Sequence, residues 1–309
     1  MVAHKKDISH TDISSDSFVD RFFPKGLIPY LKLARVDRPI GTWLLLFPGL
    51  WGIVLASDGL KNMDKGSFLL MILFMIGALF MRGAGCTIND IWDRKLDQKV
   101  ERTAMRPLAS GQLNIREVLI FLGAQLFAGL IILLLLNSLT IKLGFIIIIP
   151  ILIYPLMKRI TWWPQLFLGL TFNWSALMGW TAITGELSIT PFLLYIAGIF
   201  WTLGYDTIYA HQDKEDDLIV GIKSTALKFG DNSPKWVSAF YFLTLLFLAL
   251  AKLSSGMGLN LFSLTFLLFA IWHLYGQIID WDIDNPLDCL NKFKSNKWFG
   301  AIVLLFLAA

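Results

Sequence analysis

The sequence predicts an all-α integral membrane protein, a bundle of about nine transmembrane helices. Three observations carry that prediction: a composition shifted toward lipid, a series of apolar stretches, and a one-sided distribution of basic residues.

Of 309 residues, 56% are hydrophobic and 16% are charged, with 24 Phe and 12 Trp. An average soluble domain has about a quarter of its residues charged, so the balance favours a chain solvated by hydrocarbon. The net charge is only +4, and no basic run interleaves with aromatic residues, so no nucleic-acid partner is expected. Cys86 and Cys289 lie far apart without a CxxC neighbour, which offers neither a disulfide framework nor a thiolate metal site. No segment calls for an obligatory protein partner.

A helix that crosses about 30 Å of hydrocarbon needs roughly 20 mostly apolar residues. The stretches 40–57, 67–88, 118–136, 143–157, 163–182, 191–205, 236–253, 259–279 and 298–309 qualify or nearly so. The last is short, and Pro150 and Pro155 predict a kink in the fourth. The Trp and Phe residues read mostly as interfacial belt and lipid-facing anchors. With the N-terminus placed inside, 22 of the 27 Lys and Arg residues fall in inside segments and four in outside loops. That is a strong positive-inside signal. Arg82 remains, inside the second span, where a charge is costly and marks a cavity or an acidic partner.

Residues 1–30 read as a cytoplasmic N-terminal tail and 31–309 as one polytopic domain. The tail has no apolar core for a secretory signal, and Asp7, Asp12, Asp16 and Asp20 argue against a mitochondrial presequence. The expected location is a bacterial inner (plasma) membrane, multi-pass, with the N-terminus cytoplasmic.

The second span runs into NDIWDRKLD, residues 89–97. On a helix Asn89, Asp93 and Asp97 are spaced four apart and Asp90 lies three before Asp93, so one face collects oxygen donors. Like charges at that spacing cost an isolated helix about 0.2–0.5 kcal/mol per pair, so their concentration at a solvent-facing helix end points to a cation. Oxygen-only donors favour Mg²⁺ or Ca²⁺ over zinc or copper. The bland alternative is a wet helix end with Arg94 and Lys95 as salt-bridge partners. A second acidic string, YDTIYAHQDKEDD, follows the sixth span and carries Asp206, Asp213, Asp216 and Asp217. Asp213 and Asp217 repeat the step of Asp93 and Asp97 at an offset of 120 residues, on the same predicted side of the membrane. Two such faces fit Mg²⁺ shared between carboxylates and a diphosphate. Basic residues follow each string, Arg102 and Arg106 after the first and Lys223 after the second, while Lys158 and Arg159 stand between the fourth and fifth spans. These can clamp diphosphate oxygens, although positive-inside topology alone also places Lys and Arg there. His211 earns no role, since a lone histidine is more often structural. Arg35 and Arg38 are explained by snorkelling, which leaves Arg82 as the basic residue near the membrane without an assigned role.

Taken together, RVDRPIGTWLLLFPGLWG, NDIWDRKLDQKVERTAMRPLASG, YPLMKRITWWPQLFLGLTFNWSALMGW, LGYDTIYAHQDKEDDLIVGIKSTALKFG and DIDNPLDCLNKF resemble the 4-hydroxybenzoate polyprenyltransferases of ubiquinone biosynthesis, a branch of the intramembrane aromatic prenyltransferases. The resemblance runs from about Arg35 to the C-terminus. It implies nine transmembrane helices around a central cavity, with Mg²⁺ as cofactor and polyprenyl diphosphate and 4-hydroxybenzoate as substrates in the lipid membrane. It also implies that Asn89, Asp93, Asp97, Asp213 and Asp217 bind Mg²⁺ and the donor's diphosphate, with the four aspartates catalytic, and the reading of the helix face adds Asp90 to the metal set. Alongside Asn89, the residues read as substrate-binding are Arg82, Arg102, Arg106, Lys158, Arg159, Asp206 and Lys223. The rival readings are a relative with another aromatic acceptor and a membrane transporter. Transporter sites sit near the midplane, whereas these carboxylates gather at one face.

Overall fold

The computed structural model describes residues 16–99 and 103–309, without the side chains of residues 216 and 220, and every α-helix or shorter helical turn among them lies in an all-helical chain. The α-helices are α1 (Phe18–Phe22), α2 (Ile28–Leu33), α3 (Ile40–Ala56), α4 (Lys65–Asp97), α5 (Ile115–Leu134), α6 (Ser138–Ile146), α7 (Ile148–Ile160), α8 (Pro164–Phe172), α9 (Trp174–Thr184), α10 (Ile189–Ala210), α11 (Lys214–Val220), α12 (Thr225–Phe229), α13 (Ser233–Ser254), α14 (Leu261–Ile279) and α15 (Pro286–Ala308).

All nine predicted spans fall on helices. Among the described residues seven helical runs are long and apolar enough to cross a membrane, and α3 is a shorter apolar helix of 17 residues. The final predicted span is only the apolar half of α15, which is 23 residues long and begins in a polar stretch capped by Asn285 with Pro286 at its first position. The fourth span breaks at Ile147, between α6 and α7. Pro150 has no N–H for the carbonyl of residue 146, and in the first turn of α7 it needs none. The fifth span breaks at Asn173, whose amide nitrogen donates to the Gly169 carbonyl at 2.9 Å and to Thr202 Oγ1 at 2.8 Å.

The chain divides into two compact units, the described part of Met1–Pro39 with Phe80–Gly129, and Ile40–Leu79 with Leu130–Ala309. In the first, residues 1–15 of the predicted tail lie outside the described residues, whereas 16–30 hold α1 and the start of α2. Ser17 and Asp20 form a reciprocal capping box on α1, and the Asp20 carboxylate meets Lys32 Nζ at 2.6 Å. The Lys32 ammonium and the Ser17 hydroxyl hold the Asp20 carboxyl down at about 2. Leu33, Leu108, Leu113 and Val118 form the apolar centre of this unit, with Tyr30, Ile91 and Phe121 packed on it. Buried Gln125 on α5 accepts from Thr87 Oγ1 of α4 at 3.2 Å, and a side chain at Gly83 would run into that amide.

In the second unit α3 and α9 approach backbone to backbone. A Cβ on Gly179 would strike the carbonyl of Gly49, and one on Gly52 the carbonyl of Ala176. Trp51, Trp201, Tyr205, Tyr241 and Phe299 are among the largest buried rings, with Trp201 centred 5.1 Å from both Trp51 and Tyr205. These tryptophans are core rather than belt residues. Their ring nitrogens are satisfied, Trp51 by the Gly300 carbonyl at 2.9 Å and Trp201 by Asn296 Oδ1 at 2.8 Å. An unpaired N–H in such a place costs several kcal/mol by order of magnitude.

Candidate functional site

The first acidic string occupies the last turns of α4, with Asp90, Asp93 and Asp97 on one face as the spacing predicts. That face is not wet. The three aspartates are 1%, 2% and 5% exposed, while Arg94 and Lys95 point to solvent and Asn89 is half-buried. Buried carboxylates need counter-charges, and two arginines distant in sequence supply them. Arg35 Nη2 lies 2.8 and 3.0 Å from the two oxygens of Asp90. Arg106 Nη1 lies 3.0 and 3.1 Å from the oxygens of Asp97 and 3.3 Å from Asp90 Oδ1. The expectation of a solvent-facing cluster is therefore corrected, and so is the snorkelling account of Arg35.

Local structure explains how both arginines arrive. Arg35 follows α2 with a left-handed backbone, φ 57°, and its Nη1 donates to the Lys32 carbonyl at 3.0 Å. A non-glycine residue there costs roughly 1–3 kcal/mol, which the buried ion pair offsets. Arg106 sits in a turn anchored by Pro107 and Leu108, and Thr103 Oγ1 ties that turn to the Asp97 carbonyl at 3.0 Å. Nearby, Arg38 Nε meets Asp37 at 3.2 Å, and burial pushes the Asp37 carboxyl up against the opposing pull of Arg38 and Arg35.

The second string has the same spacing on different scaffolding. Asp206 is half-buried in the last turns of α10. A tight helical turn over His211–Asp213 then interrupts the helix, so Asp213 stands at the residue before α11 and Asp217 lies within it, both half-buried. His211 is a structural post: buried, 2.8 Å from Ser233 Oγ through Nε2, and edge-on to Trp281. The segment that follows is pinned by Thr225, whose N–H donates to Gln165 Oε1 at 3.1 Å and whose hydroxyl meets that of Thr207 at 2.7 Å. Sequence reasoning missed Gln165, Thr207 and Thr225, as it missed Arg35. None carries a motif signal except Arg35, which opens RVDRP.

Of the predicted basic residues, Arg106 joins the first cluster directly, and Arg82 is half-buried on α4 two turns before Asn89. Lys158 and Arg159 end α7. Lys223 is drawn to that helix end: its N–H donates to the Lys158 carbonyl at 2.8 Å and its Nζ to the Ile160 carbonyl at 3.1 Å. Arg102 lies outside the described residues.

Among the described residues no three His, Cys, Asp or Glu side chains converge to hold a metal by themselves. This donor set still fits Mg²⁺, which takes one or two carboxylates and fills its octahedron with water and phosphate oxygens. Asp93 and Asp97 offer buried oxygens one helical turn apart, and all the candidate donors are hard oxygen atoms.

Residues 45–303 match the UbiA prenyltransferase family. The chain is 50% identical over 292 residues to the mitochondrial 4-hydroxybenzoate polyprenyltransferase of Arabidopsis thaliana, covering 94% of this chain and 70% of that one. It is 49% identical to the mitochondrial enzyme of the same name from Homo sapiens, covering 91% and 75%. Among solved structures, a UbiA homolog from Aeropyrum pernix K1 aligns with TM-score 0.69 at 22% identity, over 86% of this chain and 94% of that one. A UbiA homolog from Archaeoglobus fulgidus, bound to GPP and Mg²⁺, aligns with TM-score 0.67 at 21% identity, over 91% and 97%. The expected bacterial inner-membrane location does not stand, because these half-identical relatives are mitochondrial enzymes of eukaryotes. An all-helical fold shared with both archaeal structures, and a family match across most of its length, place the chain in the UbiA prenyltransferase family.

Proposed function

We propose that this protein transfers a polyprenyl chain from a polyprenyl diphosphate to the ring carbon ortho to the hydroxyl of 4-hydroxybenzoate, giving the 3-polyprenyl-4-hydroxybenzoate of ubiquinone biosynthesis. The observation that carries the reading is near-half identity, spread over nine-tenths of the chain, to enzymes named for this reaction. In the step, the allylic C–O bond breaks with its electron pair going to diphosphate, the ring carbon bonds to the allylic carbon, and the ring releases a proton.

Asn89, Asp93, Asp97, Asp213 and Asp217 are the proposed oxygen ligands. Mg²⁺, when bound, supplies positive charge to the diphosphate oxygens as negative charge develops on them. Arg102, Arg106, Lys158, Arg159 and Lys223 are the proposed cationic contacts of the diphosphate, and Asp206 is a further proposed substrate-binding residue. Arg82 is the proposed partner of the benzoate carboxylate, which is poorly stable in a low-dielectric site without a cation. Membranes containing the protein, given 4-hydroxybenzoate, a polyprenyl diphosphate and Mg²⁺, should yield a product heavier than 4-hydroxybenzoate by the prenyl group less one hydrogen. Absence of that mass, with both substrates intact, rejects the reading. Arg82→Leu should raise the KM for 4-hydroxybenzoate far more than that for the donor; equal rises would move Arg82 to the diphosphate.

A further inference from the structure

We propose that residues 18–27 are a foot lying in the membrane surface: Phe18, Phe22, Phe23 and Leu27 insert between lipid chains beside α5, while Arg21 and Lys25 face the phosphates of anionic headgroups. The sequence alone reads this stretch as part of a cytoplasmic tail.

The pattern begins in α1. Phe18 and Phe22 are four apart and share one face, whereas Val19 turns inward and is buried, and Asp20 is tied to Lys32 of α2. Phe22 is 81% exposed, and Phe18, Phe23 and Leu27 are exposed as well. Four large apolar side chains open to solvent within ten residues mark an interaction surface. Arg21 and Lys25 stand among them, both exposed. Aromatic anchors interleaved with basic residues are the make-up of a segment that lies in a membrane surface.

What covers the face follows from its depth. The 2.6 Å contact of Asp20 with Lys32 holds α1 to α2. In turn α2 packs on α5: Leu33 shares an apolar centre with Val118, and the Tyr30 ring is centred 5.3 Å from that of Phe121. Phe121 is six residues past Ile115, the start of α5, which is about 9 Å along the helix axis. The α5 helix is long and apolar enough to cross a membrane. Its polar entry, Arg116 with the reciprocal bonds of Asn114 and Glu117, marks where it leaves water, and exposed Leu119 and Ile120 follow at once. An interfacial segment buries its apolar side about 5–10 Å into the headgroup and acyl boundary, the depth at which Tyr30 meets Phe121. The bilayer that receives α5 therefore already lies alongside α2, and the foot reaches it without another partner. Seating the foot also steadies the first acidic cluster, because the Lys32 carbonyl accepts from Arg35, the partner of Asp90.

The test is site-directed fluorescence on the full chain in lipid nanodiscs, where both faces of the bilayer meet solvent. Phe18→Cys and Phe22→Cys each replace an exposed side chain, and the native thiols Cys86 and Cys289 are buried, so an environment-sensitive maleimide marks the introduced one. Lys61→Cys, in the exposed turn after α3, is the reference for water. In discs of phosphatidylcholine mixed with phosphatidylglycerol, acrylamide should quench the labels at 18 and 22 less than the label at 61, by a factor of about three or more. Lipids spin-labelled high on the acyl chain should quench them more than the reference. Smaller protection at either site, or no excess quenching by the spin-labelled lipid, overturns the proposal. So does protection that appears only in discs holding two copies of the chain, since a second copy is then the cover. In phosphatidylcholine alone both labels should become more open to acrylamide, and equal quenching in the two lipid mixtures overturns the headgroup contact of Arg21 and Lys25.

Discussion

Replacing Arg106 with Ala tests the first cluster most directly. Among the described residues, Arg106 is the ion-pair partner of Asp97, at 3.0 Å, whereas Asp90 retains Arg35 if Arg106 is lost. The variant therefore strands one buried carboxylate, not two. Removing one member of a buried pair costs about 3–5 kcal/mol. Asp97 is also the last residue of α4, where the helix end carries roughly half a negative charge of its own, so the upper half of that range applies. A loss of about 4 kcal/mol lowers the melting temperature of a chain of 309 residues by about 6 °C. Arg106→Lys keeps the charge but loses the planar fork, and about half the loss should return.

Thermal unfolding in detergent, with and without Mg²⁺, reads the outcome. A cation bound at Asp97 replaces the missing guanidinium, so Mg²⁺ should raise the melting temperature of Arg106→Ala by more than it raises that of wild type. A variant that melts within about 2 °C of wild type refutes the claim that Arg106 neutralises Asp97. Equal Mg²⁺ shifts in both proteins remove Asp97 from the ligand set.

Three other outcomes are expected. Asp213→Asn and Asp217→Asn should each lower turnover on the order of 100-fold or more while leaving the melting temperature almost unchanged, because both side chains are only half-buried; a near wild-type rate at saturating Mg²⁺ excludes that residue as a ligand. Gly179→Ala should destabilise by about 1–3 kcal/mol, since its Cβ meets the Gly49 carbonyl, whereas Gly85→Ala, with nothing within 4 Å of its Cβ, should be neutral; equal melting temperatures would refute the close contact of α3 and α9. The Asp20 carboxyl is held at about 2, below its usual 3.8, so its stabilising contribution is complete above that ordinary value and fades as the pH falls toward 2. The melting difference between wild type and Asp20→Asn should shrink over that window, and a difference that grows instead refutes the pairing with Lys32.

Hydropathy made the membrane helices legible because lipid acts on each segment independently of its neighbours. The break at Ile147 was legible for a similar reason, since Pro150 acts locally. The break at Asn173 was not, because nothing in the local sequence announces it and the amide that stabilises it reaches across to Thr202. The last helix was half-legible. Its apolar end read as a truncated span, and its polar beginning read as loop, although Asn285 and Pro286 are a start signal. The acidic strings were plain from spacing, yet the repeat at 120 residues misleads at the level of backbone. The first string rides one continuous helix, while the second crosses a tight turn into α11.

Burial of the first string was beyond the sequence, because it depends on Arg35, 55 positions from its partner. That burial bears on how the site works under the proposed function. An exposed acidic face binds a cation weakly because water already solvates both. Here the carboxylates are dry, and Arg106 serves as counter-ion for Asp97 until a cation takes that place. Arginine is also a good bidentate partner for phosphate oxygens. A donor arriving with Mg²⁺ thus offers Asp97 a new cation and Arg106 a new anion at once, an exchange in which neither charge is left buried and unpaired. Metal without diphosphate offers only half of it. Mg²⁺ alone and inorganic diphosphate alone should therefore each stabilise the wild-type protein weakly, and the two together should stabilise it more than additively. Strictly additive shifts in melting temperature would show that Arg106 does not move between the two partners.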